Sequence, residues 1–149
     1  MLPYAGVAAS KPQLEPPRLR TGEHARPMCV LFVDDEPVIR RGYERAFGKT
    51  TEVVLAVDGV QAWIILSGRH DFDVIVCDLL MPNVSGIALY DRVRGAYPSL
   101  ADAFVFVTGG ATDVSTQEFL GACANAVLSK PFEMHELVAL VEARRPRRR

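Results

Sequence analysis

Five short apolar runs alternate with amphipathic segments along this chain, and no other feature constrains its fold as strongly. The runs cover residues 29–33, 53–57, 74–77, 103–107 and 126–128. Because their apolar residues are continuous, they indicate strands that are buried on both faces. A strand–helix alternation of this kind implies right-handed crossovers between parallel strands. The pattern therefore predicts an α/β fold in which five helices cover a doubly wound, five-stranded parallel sheet.

The segments between the runs carry helix start and stop signals. Pro37 suits a first helical turn, where its missing N–H has no partner to lose. Ile39, Tyr43 and Phe47 then fall on one face at four-residue spacing, and Gly48 can end the helix. Four later helices are predicted after Asp58-Gly59, over residues 87–93 with a stop before Pro98, over 114–120, and from Glu133 onward.

The chain has room for one domain and two tails. Residues 1–27 contain five of the ten prolines and few large apolar groups, which predicts a disordered Pro-rich leader or linker. The remaining apolar residues are enough for a single core. We place one domain at residues 28–144 and a basic tail at residues 145–149.

Composition and charge exclude several classes of protein. A formal net charge of −1 is too small to predict a nucleic acid as the main partner. No apolar run approaches the roughly 20 residues of a membrane span, and the start lacks the layout of a signal peptide. Cys29, Cys77 and Cys123 form no paired motif, which favours a reducing compartment. We expect a soluble, cytoplasmic protein without a membrane partner.

Candidate site residues follow four of the five apolar runs. Asp34 and Asp35 come after the first run, Asp78 after the third, Thr108 after the fourth and Lys130 after the fifth. In an open parallel sheet these strand ends form one edge, where ligands bind. Three carboxylates at one edge repel one another unless a cation lies among them, and a hard divalent ion with oxygen ligands meets that need. The sequence predicts a Mg²⁺ cofactor.

A set of carboxylates, one hydroxyl and one ammonium group is typical of a phosphoryl-transfer centre. A hydrolase triad is a weaker match, since no histidine or cysteine follows any of the runs. Asp78 is then the nucleophile. The metal and Lys130 neutralise charge on the transferring oxygens, and the Thr108 hydroxyl donates a hydrogen bond to one of them. Backbone N–H groups near Gly109 and Gly110 could add further donors. Taken singly, each residue also fits a helix cap, a strand terminus or a solvated charge, so the prediction depends on the combination.

Four motifs in this order resemble the signature of receiver domains from two-component signal transduction. They are Val-Asp-Asp-Glu-Pro at 33–37, Cys-Asp-Leu-Leu-Met-Pro at 77–82 followed by Gly86, Val-Thr-Gly at 107–109, and Ser-Lys-Pro-Phe at 129–132. The similarity extends over residues 28 to about 144. It implies a flavodoxin-like, CheY-like fold with strand order 2-1-3-4-5.

The resemblance also implies roles for individual residues. Asp34 and Asp35 would bind Mg²⁺, one of them through water, together with Asp78 and the backbone carbonyl of Leu80. Asp78 would accept a phosphoryl group from a histidine kinase or a histidine phosphotransfer protein. Lys130 would precede a cis proline.

The function implied is that of a phosphoacceptor in a two-component system or phosphorelay, which signals by a changed affinity for an output protein still to be identified. No enzymatic activity is expected beyond slow self-dephosphorylation. A phosphorylation-linked homodimer remains open. We expect no fused output domain, since only a few arginines follow the last predicted helix.

One position departs from the family pattern. Receiver domains commonly carry tyrosine or phenylalanine three residues before the lysine, and this chain has Val127 there. A valine is too small to act as a large amphipathic lever. We therefore expect signalling to depend on rearrangement of the loop at residues 108–111, where two glycines allow wide backbone freedom.

Two alternative functions stay open at this stage, and the sequence argues against two others. A phosphorylation-independent pseudo-receiver would bind partners with the same fold, and a receiver from a hybrid histidine kinase would have residues 1–27 as its linker. A flavodoxin-like cofactor binder needs a phosphate-binding loop after the first strand, where Asp34, Asp35 and Glu36 would repel phosphate. An aspartyl phosphatase needs space for a cap insertion, which Pro37 and the predicted helix do not leave.

Overall fold

A computed structural model describes residues 26–109 and 113–146 of the chain. Within it, Met28–Arg145 forms one compact unit. Most of the expected leader and part of the expected tail lie outside the described residues, so the proposed boundaries at 27 and 144 stay predictions. Gly110 and Ala111, half of the 108–111 loop invoked for signalling, also lie outside them.

The described residues of this unit form five parallel strands and six helices. The strands are β1 (Met28–Val33), β2 (Thr51–Ala56), β3 (Val74–Asp78), β4 (Phe104–Thr108) and β5 (Val127–Ser129). The helices are α1 (Pro37–Phe47), α2 (Gly59–Gly68), α3 (Gly86–Ala96), α4 (Pro98–Ala101), α5 (Val114–Ala122) and α6 (Met134–Glu142). The strands pair in the order β2-β1-β3-β4-β5. The predicted doubly wound parallel sheet is confirmed.

The prediction of five helices was wrong by one, because the short helix α4 follows α3 directly. The Tyr97 amide closes α3 by donating to the Val93 carbonyl, 2.6 Å away, and Pro98 then opens α4. A proline in a first turn loses no hydrogen bond. α4 buries Leu100 and Ala101. Four residues are too few to show a helical period in a sequence.

The second strand begins and ends earlier in the chain than the apolar run at 53–57 predicts. The apolar run at 53–57 suggested that Val57 belongs to it, but β2 spans Thr51–Ala56 and the Val57 side chain is 42% exposed. The amide of Val57 donates to Gln61 Oε1 at 2.7 Å instead of joining the sheet ladder. Val57 is therefore part of the connection to α2, where Asp58 caps the helix by accepting from the Gln61 amide at 2.8 Å.

Two hydrophobic clusters cover the two faces of the sheet. Side chains of β1 alternate between them: Leu31 packs beneath α2 and α3, and Phe32 packs beneath α1 and α6. The Phe32 ring stacks on Tyr43 with centroids 4.4 Å apart and lies 5.0 Å from Phe47. Burying each such side chain contributes roughly 1.5–3 kcal/mol. All six residues of β1 are buried, as the continuous apolar run predicts.

Two of the three cysteines belong to these clusters. Cys29 and Cys77 are buried, and Cys123 is half-buried in the connection between α5 and β5. Burial raises the pKa of the Cys29 thiol to about 12, and burial raises the pKa of Cys77 as well. All three are free thiols.

Strand register brings the polar strand ends to one edge. Val33 pairs with Cys77, Asp78 pairs with Val107, and Thr108 pairs with Ser129. The residues that follow β1, β3, β4 and β5 consequently leave the sheet at the same edge.

The loop from β3 to α3 is packed tightly against this edge. A Cβ on Gly86 would overlap the Asp78 carbonyl oxygen and lie 2.8 Å from Leu79 Cα, so the position requires glycine. Asn83 turns the loop with a φ of 69°, in the left-handed region that asparagine tolerates. No helix in the described part of the chain is both long and apolar enough to cross a bilayer.

Candidate functional site

Asp34 is the first residue after β1, and it is fully buried. Its amide donates to the Ala56 carbonyl at 3.1 Å, and its Oδ1 accepts from the Glu36 amide at 3.0 Å. Its own carbonyl oxygen accepts from Arg40 Nη1 at 2.9 Å. Its Oδ2 has no hydrogen-bond partner among the described residues. The carboxylate is thus held in place with one oxygen unsatisfied, which is costly unless another group meets it.

Asp78 is the last residue of β3, and it is buried. Its Oδ1 accepts from the Leu80 amide at 3.1 Å, and its Oδ2 accepts from Lys130 Nζ at 3.2 Å. The next amide, that of Leu79, donates to the Val107 carbonyl at 3.0 Å and keeps the strand end on the sheet. One carboxylate oxygen therefore faces the chain's own backbone and the other faces an ammonium group.

Lys130 reaches the same place from β5. Its amide donates to the Thr108 carbonyl at 2.7 Å, and its peptide bond to Pro131 is cis. The ammonium also lies 3.6 Å from Glu36 Oε1 and 3.8 Å from Asp34 Oδ2. With Asp78 at 3.2 Å, three carboxylates share one ammonium group.

The predicted acidic residues converge. Asp34, Asp35 and Asp78 each offer a carboxylate oxygen within 4.8 Å of the other two. Asp34 and Asp78 are buried, whereas Asp35 is half-buried. Oxygen-only donors at this spacing, one of them an unsatisfied buried oxygen, fit a hard divalent cation such as Mg²⁺.

The other predicted site residues lie at the same edge. Thr108 is buried at the end of β4, and its carbonyl anchors Lys130. Leu80 has a side chain that is 52% exposed and an amide that binds Asp78. The metal-ligand role of the Leu80 carbonyl stays a prediction, as do the roles of the Thr108 hydroxyl and the Gly109 amide.

Burial and charge oppose each other in setting the pKa values here. Burial, together with the charge of Asp78, raises the pKa of Asp34 to about 6, although the hydrogen bond from the Glu36 amide and the charge of Lys130 both lower it. Burial also raises the pKa of Asp78, against the Leu80 amide and the Lys130 ammonium. The pKa of Lys130 is raised because the charges of Asp78 and Asp34 outweigh its burial. The site holds more negative charge than its one ammonium offsets, which favours cation binding.

Two neighbouring residues were missed in the sequence. Glu36 was assigned no role in the site from the sequence, yet its side chain makes no capping hydrogen bond and lies beside Lys130. Arg40 was not considered, although its side chain contacts Asp34. The available signal was spacing: helical side chains lean towards the N-terminus, so a residue four positions after Glu36 can reach back to the end of β1.

The fold and the edge geometry can be compared with known proteins. The sequence profile described as Response regulator receiver domain matches residues 30–142, well over half of the chain. The chain belongs to the receiver domain family. It is a receiver domain of two-component signalling, and receiver domains are phosphoacceptors rather than classical enzymes.

Sequence relatives agree with this assignment. The receiver domain is 32% identical over 120 residues to the response regulator Rre1 of a Synechocystis strain, covering 78% of this chain and 51% of Rre1. It is 32% identical over 109 residues to a CheY homologue of Campylobacter jejuni, covering 70% of this chain and 82% of that protein. This chain thus spans about half the length of Rre1 and most of the CheY homologue.

Solved structures share the fold. Chemotaxis protein CheY4 of Vibrio cholerae superposes with a TM-score of 0.68 at 27% identity, covering 79% of this chain and 98% of CheY4. The response regulator TrrA of Thermotoga maritima, in complex with Mg²⁺-BeF, superposes with a TM-score of 0.66 at 24% identity, covering 79% and 99%. The expected CheY-like fold and strand order are confirmed.

Proposed function

We propose that this receiver domain accepts a phosphoryl group on Asp78 with the help of Mg²⁺ and thereby changes its affinity for a partner protein. The observation that carries the proposal is the contact between Lys130 Nζ and Asp78 Oδ2 at 3.2 Å inside a cluster of three carboxylates. A buried carboxylate beside an ammonium group, at the edge where the carboxyl ends of parallel strands meet, is suited to form an acyl phosphate. The ammonium group neutralises part of the charge of that phosphate.

The chain's own residues would act as follows. An oxygen of Asp78 forms the new bond to phosphorus while the bond from phosphorus to the donor's imidazole nitrogen breaks, and the electron pair stays on that nitrogen. The Lys130 ammonium pairs with a phosphoryl oxygen, and the Thr108 hydroxyl donates to another. Mg²⁺, when bound, supplies positive charge beside the transferring oxygens.

The metal would be held by the three clustered carboxylates and the Leu80 carbonyl. The fit rests on the unsatisfied Oδ2 of buried Asp34 and on oxygen atoms of Asp34, Asp35 and Asp78 within 4.8 Å of one another. The Mg²⁺-BeF complex of TrrA supports the same choice of ion, since that protein shares this fold.

The partners follow from the chemistry. The phosphodonor is a histidine kinase or a histidine phosphotransfer protein in the cytoplasm, and the output is a protein whose binding depends on the state of Asp78. Slow self-dephosphorylation is the only turnover expected. We place the functional unit at residues 28–144.

Phosphorylation can be tested without knowing the cognate kinase. The full chain is incubated with acetyl phosphate, with and without Mg²⁺, and its intact mass is measured beside an Asp78→Asn variant. Asp102→Asn is the matched control, because Asp102 is exposed and lies before β4, at the opposite edge of the sheet. We expect a Mg²⁺-dependent gain of one phosphoryl group in the wild type and in the control only. A chain that gains none from acetyl phosphate or from phosphoramidate is instead a pseudo-receiver that signals by binding alone.

A further inference from the structure

Arg40 makes a contact that ties helix α1 to the acidic end of β1. It lies in the first turns of α1, and its Nη1 donates to the main-chain carbonyl of Asp34 at 2.9 Å, across six residues. The contact is partly buried. It spans the short connection that carries Asp34 and Asp35.

This contact completes the restraint of Asp34. The Asp34 amide is held by Ala56 and its Oδ1 by the Glu36 amide. The peptide between Asp34 and Asp35 is held by Arg40 through its carbonyl oxygen, and the orientation of that peptide sets the directions of both side chains. Among the polar atoms of Asp34, Oδ2 alone has no hydrogen-bond partner in the described residues.

Helix stability alone does not explain an arginine here. A cation near the N-terminus of a helix is disfavoured by the helix dipole. Arg41, the next residue, is exposed on the same helix. Arg40 instead directs a donor away from its own helix, at the carbonyl oxygen of the peptide between the two aspartates.

We infer that Arg40 is a positioning residue that holds the Asp34–Asp35 peptide in the orientation required for binding a divalent cation. The inference rests on the proposed function, in which Asp34 and Asp35 are Mg²⁺ ligands. Residues that orient metal ligands in this way typically change metal affinity by about 10–100-fold when they are removed.

The test compares Mg²⁺ binding to the full chain in four variants by isothermal titration calorimetry. We expect Arg40→Ala to raise the Kd for Mg²⁺ at least about 10-fold. Arg40→Lys should restore part of the affinity, since an ammonium can still donate to the carbonyl. Arg41→Ala, the matched control, should bind as the wild type does. Arg40→Gln keeps side-chain N–H donors without the charge. It replaces Arg40→Ala as the test variant if Arg40→Ala does not fold.

A second readout separates positioning from a general structural effect. If Arg40 positions the metal ligands, acetyl phosphate labelling of Arg40→Ala needs more Mg²⁺ but approaches the wild-type rate at saturation. A variant with a lower denaturation midpoint and an unchanged Kd for Mg²⁺ overturns the inference and leaves the proposed function intact. A wild-type chain that binds no Mg²⁺ overturns both.

Discussion

The ammonium of Lys130 lies 3.2 Å from Oδ2 of Asp78, although the two residues are 52 positions apart in the chain. Two restraints create this contact: the Lys130 amide is bound to the Thr108 carbonyl, and β3 pairs directly with β4. The positive charge is therefore placed before any phosphoryl group arrives, which is the kind of preorganisation that lowers a transition-state barrier.

Replacing Lys130 should slow phosphorylation strongly. Loss of one preorganised group that stabilises developing charge costs roughly 10²–10³ in rate. We expect Lys130→Ala to lower the initial rate of acetyl phosphate labelling by about that factor at saturating Mg²⁺. Lys49→Ala, at an exposed position between α1 and β2, should label at the wild-type rate. Equal rates for the two variants would remove Lys130 from the mechanism.

The raised pKa of Asp34 predicts how stability depends on pH without metal. Its pKa rises from 3.8 to about 6 because it is buried, so between these values the folded chain binds more protons than the unfolded chain. The free energy of unfolding therefore falls as pH rises through this window. At neutral pH the buried, ionised Asp34 carboxylate lowers the free energy of unfolding by about 2–3 kcal/mol. Asp34→Asn should be more stable than the wild type at pH 7.5 and should show a smaller slope between pH 4 and pH 6 in denaturant titrations.

Adding Mg²⁺ should reverse this penalty where the carboxylates are ionised. Protons and metal compete for the same oxygens, so stabilisation by Mg²⁺ should be larger at pH 7.5 than near pH 5. The measurement is the change in Tm on adding Mg²⁺ at the two pH values, with EDTA as the reference. A shift that is the same at both values would mean that Mg²⁺ binds elsewhere.

Two glycines on α3 provide a matched pair of substitutions. A Cβ on Gly86 meets the Asp78 carbonyl oxygen, whereas a Cβ on Gly95 meets nothing within 4 Å. We expect Gly86→Ala to cost roughly 1–3 kcal/mol through overpacking and to slow labelling, since it displaces the strand end that carries Asp78. Gly95→Ala should stabilise the helix by up to about 1 kcal/mol and leave labelling unchanged. Chemical denaturation and the acetyl phosphate assay together distinguish the two effects.

Val127 predicts an unusual route for the conformational change. It is the register partner of Phe106 on β4, and its side chain is 37% exposed. Phe106 in turn packs edge-on against Phe119 of α5, with centroids 5.2 Å apart. Because Val127 offers no aromatic lever, we expect beryllofluoride with Mg²⁺ to change hydrogen exchange in the segment after Thr108 and in α5. Changes centred on β5, with none after Thr108, would contradict this expectation.

The edge that carries the site was predictable because it follows from backbone topology. Once the apolar runs are parallel strands, Asp34, Asp78, Thr108 and Lys130 must leave the sheet together, whatever their rotamers. The bounds of β2 were not predictable from hydrophobicity, since Val57 is as apolar as its neighbours but its amide donates to the Gln61 side chain instead of joining the sheet.

The finer parts of the site depend on side-chain directions, which a linear pattern does not specify. Glu36 could serve equally as a helix cap or as an ion-pair partner, and only three-dimensional proximity to Lys130 decides between them. Arg40 acts through a backbone acceptor, and any residue offers such an acceptor. The identity of the acceptor residue therefore does not reveal an interaction of this kind.

The unequal burial of the three cysteines has a practical consequence for following these events. Maleimide dyes react with accessible thiolates, and Cys29 and Cys77 are both buried with raised pKa values. Cys123 precedes β5, at the end of the sheet opposite to the carboxylate cluster. A single fluorophore can therefore be attached there in the unmutated chain, where it reports on movement of α5 from a distance and leaves the chemistry at Asp78 undisturbed.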